Sequence, residues 1–190
     1  MLPCSEVLWA TAIKRLRESI PARYVAEWLQ PASLFDYGCG YGKDVEFYCS
    51  LGIDAFGYDP HIGFVRTALP EGRLFDVVCV VYVLNILPRI DDRVSVISHA
   101  ARFLHAHGRL FIAARNSRDV IAAARKGRWK QHNDGFWSNE KRGMFQSGID
   151  DKDIRRYASL AGLCLADMPG KVPSGSTYAL LRRGPNARMF

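Results

Sequence analysis

The segment Asp36-Tyr37-Gly38-Cys39-Gly40-Tyr41-Gly42 sets an acidic side chain two residues ahead of three alternating glycines. Glycine belongs where a ligand must touch the backbone or where the chain must turn left-handed. If such a turn joins a strand to a helix, the helix N-terminus behind it offers amide groups that have no partner within the helix. A dinucleotide site of the nicotinamide type uses Gly-x-Gly-x-x-Gly, one residue longer than the spacing here. A second carboxylate, Asp59, stands 17 residues beyond Gly42 and is followed by Pro60.

These groups work together only if strands and helices bring them to one edge, and the apolar pattern supplies that order. Leu34 to Tyr37 reads as a short strand running into the glycines; Val45, Phe47, Tyr48 and Leu51 mark a helix that Gly52 can end. Ile53 to Tyr58 is a second strand ending at Asp59-Pro60. The unbroken apolar run Val77 to Leu84 predicts a strand covered on both faces. After Asp91-Asp92 a helix is expected with Val94, Ile97, Ala101 and Leu104 on one face, and His107-Gly108 turns the chain into a strand from Arg109 to Ala114. Ile149 to Ala161 is amphipathic, opened by Asp150, Asp151 and Asp153 and closed by Gly162. Leu163 to Ala166 and Thr177 to Leu181 supply two last strands, paired as a hairpin. Upstream, apolar residues between Val7 and Leu29 predict a helix, a kink at Pro21 and a second helix. The fold class is therefore α/β, one three-layer domain with a mostly parallel, Rossmann-like sheet and an antiparallel C-terminal hairpin. Residues 1–31 are expected as a helical segment packing on the core, 32–183 as the main domain with a basic and aromatic insertion at 115–147, and 184–190 as a flexible tail.

The glycine segment with Asp36 resembles motif I of the class I S-adenosylmethionine-dependent methyltransferases. Asp59, at the end of the next strand, matches the family's carboxylate that accepts both ribose hydroxyls of the adenosyl group. Phe75-Asp76-Val77-Val78 is similar to the start of their fourth strand, and Leu104 to Leu110 occupies their turn before the fifth. A closer resemblance is to methyltransferases associated with bacterial DNA phosphorothioation systems. It is carried by Phe35 to Gly40 followed by Asp44, Ala55 to Pro60, Asp76-Val77-Val78, Tyr82-Val83-Leu84-Asn85 and Phe145-Gln146. Only 16 residues separate Asp59 from Asp76, too few for the family's usual helix, strand and helix. The third strand region is thus expected to be shortened or absent, leaving the adenine pocket open on one side.

The resemblance implies S-adenosyl-L-methionine as cofactor, S-adenosyl-L-homocysteine as product, and cofactor contacts from Asp36, Gly38, Cys39, Gly40, Gly42, Asp59, Pro60 and Tyr82. In the family the motif I acid helps to hold the methionine amino group. Methyl transfer is a direct displacement at an activated sulfonium, so alignment can suffice and no side-chain base is compulsory. Tyr82, Asn85, His132 and Gln146 are the weak candidates for a catalytic role. Asn85 reads equally as a cap residue. Asp44 is read as a first-turn helix residue, and Cys39 and Cys79 as packing residues. The chain has Tyr82-Val83-Leu84-Asn85 where amino-methylating DNA enzymes carry Asp/Asn/Ser-Pro-Pro-aromatic, which disfavours base N-methylation by that route. His105 and His107 lack a third ligand at matching spacing and are read as a solvated turn, with no metal expected.

Charge adds a partner class. Among 190 residues, 48% are hydrophobic and 24% charged, with a formal net charge of +7, the balance of a globular protein rather than an acidic disordered one. Residues 1–114 hold 11 basic and 12 acidic residues, and residues 115–190 hold 15 and 7. All of the excess lies outside the cofactor half. Between Arg115 and Arg142 the cations Arg118, Arg125, Lys126, Arg128, Lys130 and Lys141 alternate with Trp129, Phe136 and Trp137. This stretch is either a lid for nucleic acid or another anionic acceptor, or an amphipathic helix and loop whose aromatics cover the core. The five cysteines are scattered without a Cys-x-x-Cys pair, no secretory start is evident and no apolar run reaches the roughly 18–20 residues of a membrane span, so a cytoplasmic, membrane-free setting is expected. The alternative function is a cofactor-binding but catalytically silent subunit of a DNA-modification or defence complex.

Overall fold

The computed structural model describes residues 14–60 and 68–184. In chain order the elements are α1 (Ile20–Tyr24), β1 (Ser33–Tyr37), α2 (Lys43–Ser50), β2 (Asp54–Tyr58), β3 (Phe75–Val81), α3 (Ile90–Ala101), β4 (Leu104–Ala114), α4 (Ser117–Gly127), β5 (Lys130–His132), β6 (Gly135–Asn139), β7 (Met144–Ser147), α5 (Asp151–Leu160), β8 (Leu163–Ala166) and β9 (Thr177–Arg183). Six strands form the main sheet in the order β2-β1-β3-β4-β9-β8. The pairs β1–β2, β1–β3 and β3–β4 are parallel, while β9 runs antiparallel to both β4 and β8.

Alternation along the central strands explains the three layers. In β3, Val78 and Val80 join one core with Val96, Ile97 and Ala100 of α3 and Ile154, Tyr157 and Ala158 of α5. Their neighbours Val77 and Cys79 join a second core with Ala22 and Tyr24 of α1 and Val45 and Tyr48 of α2. Leu110 and Ile112 of β4 split from Phe111 and Ala113 in the same way. Both faces are apolar, so the sheet must be covered twice. After β2 the chain crosses back to the other side of β1 to form β3. The carboxyl ends of β1 and β3 thus flank a topological switch point, where open α/β sheets place ligands. On the outer side of β2 the sheet carries no further strand among the described residues, and residues 68–74 form none; residues 61–67 of the shortened stretch lie outside the described residues.

Several local expectations need correction. The helix expected through Leu16 is not there: residues 14–19 are irregular, Leu16 is 91% exposed, and Val7, Ala10 and Ile13 lie outside the described residues, as does the expected tail from 185 onward. Pro21 does not kink a helix but sits in the first turn of α1, where its missing N–H costs nothing. Ser19 caps that turn by accepting the Ala22 N–H at 3.1 Å, and α1 continues as a π-turn over Val25–Leu29. The strand expected over 77–84 runs instead from Phe75 to Val81, because Tyr82 turns left-handed with φ 58°. His107-Gly108 is not a turn before the strand but part of a bulge inside β4: Phe75 pairs with Leu104, yet Val77 pairs with Arg109. A Cβ on Gly108 would lie 2.9 Å from the Phe75 carbonyl oxygen, so the bulge requires glycine. Leu104 accordingly belongs to β4 and not to the helix, while Val96, Ile97, Ala100 and Ala101 form the inner face of α3 and Val94 is only half-buried.

The insertion is more ordered than a helix and loop. After α4 it folds into a three-stranded antiparallel sheet, β5-β6-β7. Its turn is held by Arg93 of α3, whose side chain is wholly buried and donates to both carboxylate oxygens of Asp134, to Tyr157 Oη at 3.0 Å and to the Leu87 carbonyl at 2.9 Å. This guanidinium joins α3, α5 and the insertion. Asp134→Ala is expected to cost about 2 kcal/mol, since it strips the charged partner from a buried cation while Asp134 itself is 39% exposed and partly screened. Urea denaturation checks this; an unchanged midpoint would mean that Tyr157 and Leu87 alone satisfy Arg93.

Candidate active site

The glycine segment lies where β1 meets α2, at the switch point. Gly38, Gly40 and Gly42 all have left-handed backbones, with φ of 88°, 54° and 76°. Gly38 also has no room for a side chain, because a Cβ there would stand 2.5 Å from Val83 Cγ2. The turn is tied to the end of β2: the Gly38 and Cys39 N–H groups donate to the Tyr58 carbonyl at 2.7 and 3.0 Å, and the Gly40 N–H donates to Asp59 Oδ2 at 3.0 Å. Gly57 completes the contact, since a Cβ on it would lie 2.8 Å from Val45 Cγ2 and 3.0 Å from Cys39 Sγ. Sequence reasoning did not assign Gly57 a place in the site, though a glycine inside a strand is itself a sign of close backbone approach.

Asp36 points from β1 towards α2 and is almost wholly buried, 3% exposed. Burial, with Asp44 and Asp59 adding negative charge and Arg15 opposing them, pushes its carboxyl up to about 8. Asp44 is a first-turn residue of α2, as expected, but a buried one with a structural task. It accepts the Ser19 N–H at 2.7 Å and the Ser19 hydroxyl at 2.8 Å, and pairs with Arg15 at 3.1 Å. The segment ahead of α1 is thereby fastened beside the glycine turn. Crowding of Asp36 with Asp44 and Asp59, opposed by Arg15 alone, means that a cation reaching this corner of the sheet would favour the ionised form of Asp36. Cys39 and Cys79 are buried, and burial together with the nearby carboxylates raises both thiols far above the ordinary range. They stay protonated and pack; neither is an activated nucleophile.

Across the switch point, the segment after β3 carries Tyr82 and Asn85. Tyr82 is a bulky residue in a left-handed conformation, an uncommon and costly arrangement. Its N–H donates to the Ala113 carbonyl at 2.7 Å and its hydroxyl meets Ser176 Oγ at 3.2 Å. That hydroxyl is spent on the loop before β9 and does not reach Asn85 or Gln146. Asn85 is 2% exposed and its Nδ2 donates to Gln146 Oε1 on β7 at 3.1 Å. Arg115, the residue after β4, donates to the same oxygen at 3.4 Å.

His132 departs from the other catalytic candidates. It stands on exposed β5, its ring 5.1 Å from Trp137 and 6.2 Å from Phe145, and it has no bond to Asn85 or Gln146. Trp137 and Phe145 also pack on each other, 5.3 Å apart. Trp129, Phe136 and Trp137 are half-buried, while Arg118, Arg125, Lys126, Arg128, Lys130, Lys141 and Arg142 are exposed, with Lys130 paired to Glu140. The aromatics therefore build the small sheet and the cations face outward. His105 and His107 are exposed in the β4 bulge. Among the described residues no helix is long and apolar enough to cross a membrane.

A mostly parallel α/β sheet with a glycine turn at the switch point and a carboxylate closing the next strand is an arrangement of the Rossmann-like class. The family model described as "Methyltransferase domain" matches residues 8–166. The chain belongs to that methyltransferase family. Solved structures agree on the fold. DesVI of Streptomyces venezuelae is similar at a TM-score of 0.64 and 13% identity over 87% of this chain and 89% of its own. The CcbJ methyltransferase of Streptomyces caelestis gives 0.62 and 13% over 86% and 94%. The magnesium protoporphyrin IX methyltransferase ChlM of Synechocystis, solved with bound S-adenosylhomocysteine, gives 0.54 and 19% over 80% and 73%. No curated protein matches the sequence.

Proposed function

We propose that the protein is a class I methyltransferase that takes S-adenosyl-L-methionine in the crevice between the glycine turn and the 82–85 segment, and transfers its methyl group to an anionic acceptor approaching under the insertion. The observation that carries this reading is the turn itself: three left-handed glycines, one without space for a Cβ, docked on the Asp59 carboxylate and bordered by the buried acids Asp36 and Asp44. Such a cradle fits a cationic adenosyl ligand by shape and by charge.

In this reading the backbone of Gly38, Cys39, Gly40 and Gly42 supports the cofactor, Asp36 holds its ammonium group, Asp59 accepts its ribose hydroxyls, and Pro60 and Tyr82 flank it. The bound cofactor supplies a methyl group on an already activated sulfonium. The chain supplies alignment and exclusion of water, and effects of that kind are large enough to carry a displacement without a dedicated base. The outward cations of the insertion support an anionic acceptor, and the likeness to phosphorothioation-associated methyltransferases supports one of nucleic-acid type through motif residues alone.

Purified protein incubated with methyl-labelled S-adenosylmethionine and separated nucleic-acid, protein and metabolite fractions of its source cell tests the reading. Label is expected in a fraction retained by anion exchange, with transfer that falls as salt is added. Cofactor binding with no label in any fraction would overturn the enzyme reading in favour of a silent subunit, and salt-independent transfer would overturn the anionic acceptor.

A further inference from the structure

Resting on the methyltransferase reading above, we propose that Asn85 Oδ1 and the Arg115 guanidinium, bridged by Gln146, form the acceptor subsite, and that the acceptor carries an N–H or O–H group close to a carboxylate or phosphate. Asn85 and Arg115 both donate to Gln146 Oε1. That shared oxygen fixes the orientation of both amides: Gln146 must present its carbonyl, and Asn85 must present Nδ2, so the Asn85 carbonyl oxygen is turned away from the bridge. It is buried and has no hydrogen-bond partner, one of three such side-chain atoms among the described residues. A buried acceptor left unpaired is costly, and a ligand that brings a donor removes the cost.

The position suits an acceptor. Asn85 is two residues beyond Val83, which presses on Gly38 of the glycine turn. Arg115 follows the end of β4, the strand paired with β3 through Val81 and Ala113, so both side chains arise at the same carboxyl edge. Gln146 lies on β7, which puts the insertion in contact with that edge. The Arg115 charge is held by a neutral amide rather than by a carboxylate, and so stays available to an anion. Asn85 and Arg115 reach one atom, which makes the donor and the anionic group of the ligand near neighbours within one small molecule or one nucleotide.

The test uses the protein saturated with S-adenosylhomocysteine, titrated with hydroxy- and amino-carboxylates and their uncharged amides, and with nucleoside monophosphates and their nucleosides. In at least one pair the charged member is expected to bind roughly tenfold tighter, with the carboxylate and phosphate arms separating the two sources of anion. Arg115→Ala should erase that preference, and Asn85→Leu should weaken charged and uncharged members alike. Asn85→Leu removes the bond to Gln146 Oε1 along with the unsatisfied carbonyl, so the melting temperature of the ligand-free variant serves to show that it is folded; unchanged binding of every member to the folded variant overturns the subsite. No charge preference in any pair, or one that survives Arg115→Ala, overturns the subsite. Calorimetry with S-adenosylhomocysteine alone separates the two readings: tight binding to the parent and both variants leaves the cofactor assignment standing when the subsite fails, whereas no binding to the parent defeats the methyltransferase reading itself.

Discussion

Asp59→Ala is expected to weaken S-adenosylhomocysteine binding by about two orders of magnitude while the protein remains folded. In the proposed complex Asp59 gives up two charge-assisted hydrogen bonds to the ribose, each worth about 1.5–3 kcal/mol, and about 3 kcal/mol in total is already a hundredfold in affinity. The same substitution frees the Gly40 N–H, which Asp59 Oδ2 accepts at 3.0 Å, so the turn loses its tie to β2 as well as the ligand contact. The fold should survive because Gly38 and Cys39 still donate to the Tyr58 carbonyl. Calorimetry on the folded variant measures the loss; an affinity within threefold of the parent would remove Asp59 from the site.

Cofactor affinity is expected to rise about tenfold per pH unit between pH 6 and about 7.5. In the free protein burial first, then Asp44 and Asp59, push the Asp36 carboxyl up to about 8 against the pull of Arg15. An ammonium group binds the carboxylate and not the acid, so binding at pH 6 must expel a proton, and each pH unit changes that cost by 1.36 kcal/mol. The sign for stability is opposite. A carboxyl whose folded value lies above its unfolded value binds the proton more tightly when folded, so its contribution declines as pH rises from about 4 to about 8. Asp36→Asn should abolish the pH slope of binding at a uniformly low affinity, and should gain melting temperature relative to the parent between pH 5 and pH 8. Calorimetry in two buffers of different ionisation enthalpy reads the expelled proton directly; a pH-flat affinity in the parent would show that Asp36 does not meet the ammonium.

The parts of this site that are legible in the sequence are those written in local chemistry. Gly38, Gly40 and Gly42 announce left-handed turns by their identity alone, Asp59-Pro60 ends a strand by spacing, and Asp150 with Asp153 announces a helix start that the structure realises as a reciprocal capping box. The parts that are not legible depend on distant partners. Lys130, Gln131 and His132 are all exposed and have no apolar alternation, so β5 exists only because β6 pairs with it and Arg93 anchors the adjoining turn. Tyr82 belongs by composition to the apolar run before it, and only the left-handed turn at the switch point ends the strand there. Asn85 and Gln146 lie far apart in sequence, and their meeting with Arg115 depends on the fold of the insertion.

The face of the sheet that carries Asp36 is closed by α1, and α1 leans on strands made much later. Tyr24 stacks on Phe111 of β4 at 5.8 Å, lies 6.3 Å from Tyr178 of β9, and bonds through its hydroxyl to the Pro169 carbonyl. During synthesis the ribosome delivers Asp36, the glycine turn and Asp59 more than a hundred residues before Tyr178. A nascent chain can therefore assemble the turn early and fasten Ser19 to Asp44, yet α1 lacks its contacts with Pro169 and Tyr178 until the chain beyond β8 emerges and β9 inserts beside β4. Long-range closure of this kind is a late and slow step. The ligand crevice is thus completed only once β8 and β9 have been made and lock the earlier helix in place.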